Sequence, residues 1–266
     1  MPVARDLGRP LSIDLLGYPE RIDITNMTIG GNEMSLPTVS HSSIFCMAVS
    51  SDGNWKATGN ANGQVYLYEG STILADPIHD GDVSALGFSA SGKWLVTGGE
   101  NGMVKVWDVA SRRLLYSFKG HLGRVQAVRF SADESTVASA NDDGATRVWN
   151  LLPIRSPRVF GTHEQPIFSV AYSPDGKYLA VGTGNPSVLP HETGHDGESS
   201  GGVVKIWEVH SGKLAKTFRV DDWRVLALAF TKNRPDDSRL GLITGGYASQ
   251  IRVWDALADI KPKVNG

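Results

Sequence analysis

Gly120-His121-Leu-Gly-Arg-Val125-Gln-Ala-Val-Arg-Phe130-Ser-Ala-Asp-Glu-Ser-Thr-Val-Ala-Ser139-Ala-Asn-Asp-Asp143-Gly-Ala-Thr-Arg-Val-Trp149-Asn150 is the stretch that decides the fold. A histidine opens it. A short β-rich run follows, Val125 to Phe130, closed by a Ser-Ala-Asp turn. A second run ends near Ser139, and an Asp-Gly turn leads to a third that ends on Trp149. Runs this short, bounded by Ser, Asp and Gly, read as strands rather than helices.

The chain repeats this unit, and self-similarity is sought before any other signal. Ser89-Ala-Ser-Gly-Lys-Trp94 leads into Val106-Trp107-Asp108, and Ser173-Pro-Asp-Gly-Lys-Tyr178 leads, after an insertion, into Ile206-Trp207-Glu208. A last copy starts at Thr231 and reaches Val253-Trp254-Asp255, and a weaker first copy runs from Ser50 to Leu67-Tyr68-Glu69. His79, His121 and His163 keep a 42-residue beat, with His41 placed 38 residues before His79. Asp221 takes the histidine slot of the fifth copy. Each histidine slot precedes a run such as Val83–Phe88 or Ile167–Tyr172, apolar at nearly every position, which suits an inner strand covered on both faces. A more polar fourth strand closes some units, Leu114–Phe118 and Leu214–Phe218. Four strands per ~40 residues with Gly-Asn and Asp-Gly turns describe the blades of a β-propeller.

On Gly120-His121, Ser139, Asp143 and Trp149-Asn150 the chain resembles the WD40 repeat family, over about residues 34–257. The resemblance implies an all-β, WD40-type β-propeller of about five four-stranded blades. It also implies a hydrogen-bonded set of histidine, Ser/Thr, Asp and Trp inside each blade, since buried polar groups need partners. The third copy carries all four: His121, Ser139, Asp143 and Trp149. The second has His79, Thr97, Asn101 and Trp107; the first has His41, Thr58, Asn62 and Tyr68. The fourth keeps His163 and Trp207 but has Val181 and Gly201 in the other slots, and the fifth keeps Thr244 and Trp254 beside Asp221 and Ala248. His121, Ser139 and Asp143 are also the residue types of a catalytic triad. A set that recurs around a ring is expected to be structural instead. The third blade is then the most rigid.

The last copy lacks a fourth strand. In this family an N-terminal strand commonly fastens the ring there, and Met34-Ser-Leu-Pro-Thr-Val39 is the candidate. Residues 1–33 hold two alternating runs, Leu11–Leu16 and Arg21–Thr25. Either the ring closes with five blades, or this N-terminal extension adds a partial sixth, or a partner chain completes it. The expected organisation is an extension at 1–33, a repeat domain at 34–257 and a tail at 258–266.

The fourth copy carries a loop insertion at about 185–201, rich in Pro, Gly and Ser. It contains His191-Glu192-Thr193-Gly194-His195, formally the H-E-x-x-H pattern of zinc hydrolases. That chemistry needs a helix to aim both histidines one way. Pro190, Gly194 and Gly197 make a poor one. A solvated loop is the expectation, and a metal-binding or hydrolytic site at His191 and His195 is the alternative. By the family's layout this loop shares a rim with Asp82, Arg124, His163, Glu164, Pro166, Trp223 and Arg224. Those residues are the candidate partner-binding set. Trp223 either anchors a partner there or tucks between blades.

Net charge is −2 and no basic block stands out, so neither nucleic acid nor a membrane is an expected partner. Lys105, Arg147, Lys205 and Arg252 recur two residues before the tryptophan and read as a solvated strand face. Cys46 is alone, which leaves no disulfide framework. No signal peptide is evident and no apolar run nears the ~20 residues of a spanning helix. The expectations are an intracellular address, cytoplasmic or nuclear; no cofactor; and a non-catalytic scaffold for other proteins.

Overall fold

Strand-and-turn chemistry builds a stack of antiparallel sheets. The computed structural model describes residues 12–14, 26–29, 32–35, 43–69, 72–77, 79–151, 157–184, 201–220, 224–231, 240–246 and 251–257. Three short N-terminal strands come first: β1 (Ser12–Asp14), β2 (Asn26–Ile29) and β3 (Asn32–Ser35). The first blade is β4 (Ile44–Val49), β5 (Trp55–Asn60), β6 (Gln64–Glu69) and β7 (Thr72–Pro77). The second is β8 (Val83–Phe88), β9 (Trp94–Gly99), β10 (Met103–Asp108) and β11 (Leu114–Lys119). The third is β12 (Val125–Phe130), β13 (Thr136–Asn141), β14 (Ala145–Asn150) and β15 (Arg158–Thr162). The fourth is β16 (Ile167–Tyr172), β17 (Tyr178–Thr183), β18 (Gly202–Glu208) and β19 (Leu214–Val220). The fifth has β20 (Val225–Thr231), β21 (Gly241–Gly246) and β22 (Ile251–Asp255). Within each blade the strands pair in chain order.

The first, third and fourth blades share one turn between their first two strands. Ser50, Ser131 and Ser173 donate their hydroxyls to Asp52, Asp133 and Asp175, and accept from the backbone N–H of Trp55, Thr136 and Tyr178. This local competition for backbone groups turns the chain from the inner strand to the second one.

The inner strands β4, β8, β12, β16 and β20 lie side by side in that order. The core therefore sits between blades, in four slabs. The slab between the second and third blades joins Ala85, Val96, Val104 and Val106 to Val125, Val128, Val137, Trp149 and Leu151. Three devices repeat from slab to slab. First, the fourth-strand phenylalanine of one blade stacks on the tryptophan of the next: Phe118 on Trp149 at 4.9 Å between ring centroids, and Phe218 on Trp254 at 4.6 Å. Second, a side chain of one inner strand latches the first carbonyl of the next, from Cys46 to Val83, Ser84 to Val125 and Ser169 to Val225. Third, that same valine fills a hollow over a glycine. A Cβ built on Gly59, Gly98 or Gly182 would lie 2.6, 2.5 and 2.7 Å from the Cγ1 of Val83, Val125 and Val225.

The blade type agrees with the repeat reading, and ring closure is not detected among the described residues. Among the described residues no packing of β20 against β4 is detected. The last sheet has three described strands, and β3, which overlaps the expected fastening strand at Met34 and Ser35, pairs with β2. Residues 36–39 lie outside the described residues. The physical reason is local: only Gly30-Gly31 separate β2 from β3, and a two-residue Gly-Gly connection favours a hairpin over a distant partner. Nor do residues 1–33 build a separate blade among the described residues. Within Leu11–Leu16, β1 adds to the free edge of β4 (Ser12 opposite Ala48), while 21–25 lie outside the described residues.

Candidate functional site: buried histidine sets and the rim above them

The histidine of each middle blade is placed by the blade before it. Gly63, Gly102 and Gly144 turn with φ near +74° (73, 74 and 74), a region open to glycine. A Cβ on them would lie 2.0, 2.5 and 2.3 Å from the carbonyl oxygens of His79, His121 and His163. The histidine backbone thus rests directly on a glycine turn and its ring points inward.

In the third blade His121 Nε2 lies 2.6 Å from Ser139 Oγ, and Trp149 Nε1 donates to the same oxygen at 2.8 Å. Arg147 Nη1 approaches His121 Nδ1 at 2.7 Å. A guanidinium only donates, so Nδ1 accepts and Nε2 carries the proton that goes to Ser139. This fixes a neutral imidazole. Burial first and the Arg147 charge second push the His121 pKa down to about 4. Asp143 binds the backbone N–H groups of Leu122 and Ala145 and sits 3.5 Å from Arg147. The second blade repeats the core of this: His79 to Thr97 at 2.8 Å and Trp107 to Thr97 at 3.1 Å, with His79 also held near 4, mainly by burial. The first and fifth blades keep the hydroxyl bridge, Thr58 to Tyr68 at 3.3 Å and Trp254 to Thr244 at 2.9 Å. His41, Asp221 and Ala248 lie outside the described residues.

The fourth blade shows what the bridge does. Val181 stands in the slot of Ser139, opposite Lys205 as Ser139 stands opposite Arg147. With no hydroxyl there, His163 Nε2 and Trp207 Nε1 are buried without a partner. His163 is again held near 4 by burial, with Lys205 adding to it.

Ser139 is fully buried, and its oxygen already accepts from an imidazole and an indole. The far side of His121 faces a cation, where a triad needs a carboxylate. The geometry gives no route for a substrate to this hydroxyl. Two of the four recurring basic residues, Arg147 and Lys105, are a correction to the sequence reading. Arg147 turns onto His121 and Lys105 lies 5.9 Å from the Trp107 ring centroid, so these side chains seal the sets rather than forming a free strand face.

Above the sets runs the rim. Arg124 binds Asp82 at 2.6 Å and Glu100 at 3.4 Å, and stacks 5.5 Å from the Phe45 ring, so it ties together three blades. Arg224 lies 5.4 Å from the Phe168 ring. Glu164 is exposed and Pro166 half-buried. His163 is 8% exposed, so it supports the rim from below and presents nothing to a partner, because its ring is drawn into the blade. Trp223, His191 and His195 lie outside the described residues. Among the described residues no group of three or more His, Cys, Asp or Glu is placed to hold a metal, and no helix is long and apolar enough to cross a membrane. Sequence reading missed Leu122, which is 90% exposed beside Arg124. Its signal was one aliphatic residue in the otherwise polar connection Gly120 to Arg124.

No curated protein matches the chain. The family described as WD40, WD domain, G-beta repeat, matches residues 34–69, 72–108, 112–150 and 155–208, which is more than half of the chain. The repeated blades, the histidine–hydroxyl–tryptophan bridges of the second and third, and this match together make the chain a member of the WD40 repeat family.

Proposed function

We propose that the chain is a non-catalytic scaffold that binds other proteins on the rim carrying Leu122, Arg124, Asp82, Glu100, Glu164 and Arg224. The observation that carries this reading is Leu122, an exposed aliphatic side chain next to an arginine held in place by two carboxylates and an aromatic ring. An apolar anchor with a preorganised arginine beside it has the make-up of an interface hot spot. WD40 repeats in general serve protein interaction, which agrees with it. A chain that completes the ring is a different kind of partner this reading allows, since closure is not detected among the described residues. The test is affinity capture with the wild type and with folded Leu122→Asp and Arg124→Ala variants. Loss of the same partners from both variants is expected. Retention of all partners by both would contradict the rim assignment.

A further inference from the structure

The second and fourth blades build the same pair of turns at the end opposite the rim, but they charge it differently. In the fourth blade the Val209 N–H donates to the Lys177 carbonyl and the Glu208 N–H to that of Lys213, which holds the two turns together. In the second blade Val109 and Asp108 bind the carbonyls of Lys93 and Arg113 in the same way. Two slots differ. Asp175 lies 3.4 Å from Lys177 in the fourth blade, and Ser91 stands in its place in the second. Gly212 turns with φ of +72°, and Arg112 stands in its place at +60°. An arginine there carries backbone strain that glycine avoids. With one acid fewer and one arginine more, Lys93, Arg112 and Arg113 are exposed together. None of the three makes a side-chain ion pair among the described residues. The nearby carboxylates are engaged elsewhere: Asp108 accepts from the N–H and hydroxyl of Ser111, and Glu134 of the third blade accepts from those of Ser91. The strand β11 then starts with Leu114 46% and Leu115 42% exposed.

We propose that Lys93, Arg112, Arg113, Leu114 and Leu115 form a second docking surface, whose occupant is an acidic segment of a protein partner with apolar residues beside its carboxylates. The arginine forks match carboxylates in geometry as well as in charge, and the two leucines cover the apolar residues. Strain kept at Arg112, where the fourth blade builds the same turn with glycine, points to a side chain retained for contact. A nucleic-acid strand fits less well. Its affinity grows with the number of phosphates neutralised, and here three cations are bordered by Asp108 and Glu134. The proposal goes beyond the rim reading and shares no residue with it.

The probe is a fluorescein-labelled Glu-Glu-Glu-Leu-Leu peptide, and its anisotropy is read against the full chain. The wild type is expected to bind it at least about ten-fold more tightly than the matched Gln-Gln-Gln-Leu-Leu peptide. Arg112→Gly is expected to weaken binding at least about five-fold while melting no lower than the wild type, because the turn then carries the glycine of the fourth blade. Leu115→Ser is expected to weaken it at least about two-fold. Lys213→Ala removes the matching charge of the fourth blade and is expected to leave binding unchanged. Equal affinity for the two peptides overturns the proposal, as do equal losses in Arg112→Gly and Lys213→Ala. Full binding by Leu115→Ser overturns it too. A loss in Arg112→Gly that comes with a lower melting temperature overturns it, since Arg112 would then be holding the turn. Tighter binding of a labelled oligothymidine, weakened by Arg112→Gly, also overturns it and assigns the surface to nucleic acid. No rim residue takes part, so failure here leaves the rim assignment standing.

Discussion

Val181 is the residue at which the fourth blade departs from its neighbours, and it permits a direct exchange of roles. Ser139→Ala leaves His121 Nε2 and Trp149 Nε1 as stranded as their counterparts in the fourth blade. It is expected to cost about 2–3 kcal/mol. Val181→Thr restores an oxygen between His163 and Trp207 and is expected to stabilise by roughly 1 kcal/mol, or about 2–4 °C in the melting temperature for a chain of this size. A Val181→Thr protein that melts lower than wild type would contradict the bridge reading. At this scale the spacing of His, Ser/Thr and Trp made the bridges legible in sequence. Arg147 was not legible, because a basic residue repeating on a strand has the pattern of a solvated face. Only the geometry shows it turned onto His121. Leu122 was hidden for a different reason: a lone aliphatic residue in a turn carries no periodicity.

At the scale of elements, the turns set the blades. Gly53 and Gly144 both have φ of +74°, but a Cβ on Gly53 meets nothing within 4 Å, whereas on Gly144 it strikes the His163 carbonyl. Gly53→Ala is expected to cost about 1 kcal/mol of backbone strain, and Gly144→Ala at least about 3 kcal/mol. Denaturant midpoints of the two variants check this, and equal losses would show that the collision is relieved elsewhere. Backbone amides of β13 and β14 are expected to exchange more slowly than those of β17 and β18, because the third blade's bridge is complete and the fourth's is broken. Hydrogen exchange read strand by strand tests it, and the reverse order would contradict it. The strands themselves were readable because Ser, Asp and Gly punctuate them at a fixed interval. The N-terminal hairpin of β2 and β3 follows from Gly30-Gly31, because a two-residue loop has a low closure entropy.

At the scale of the whole molecule, the interblade slabs and the buried neutral histidines set the stability. The unfolded chain takes up protons on His79, His121 and His163 near pH 6.5, while the folded chain does so only near 4. Between those values the unfolded state holds more protons, so stability is fully present above about 6.5 and is lost as pH falls towards 4, on the order of 3 kcal/mol for each histidine. Denaturant midpoints measured from pH 7.5 to 4 are expected to fall steeply across that window, and a flat profile would contradict burial of the three rings. The fold class was legible in sequence because the unit repeats. Ring closure was not, because whether one blade covers another depends on both faces being placed.

What holds the blades together is distinct from what meets a partner. Melting temperature and partner capture, measured side by side on Leu122→Asp and Ser139→Ala, test it most directly. Leu122→Asp is expected to melt like the wild type and to lose its partners. Ser139→Ala is expected to melt several degrees lower and, at a temperature where it is folded, to keep them. Partner loss in folded Ser139→Ala with retention in Leu122→Asp would contradict it.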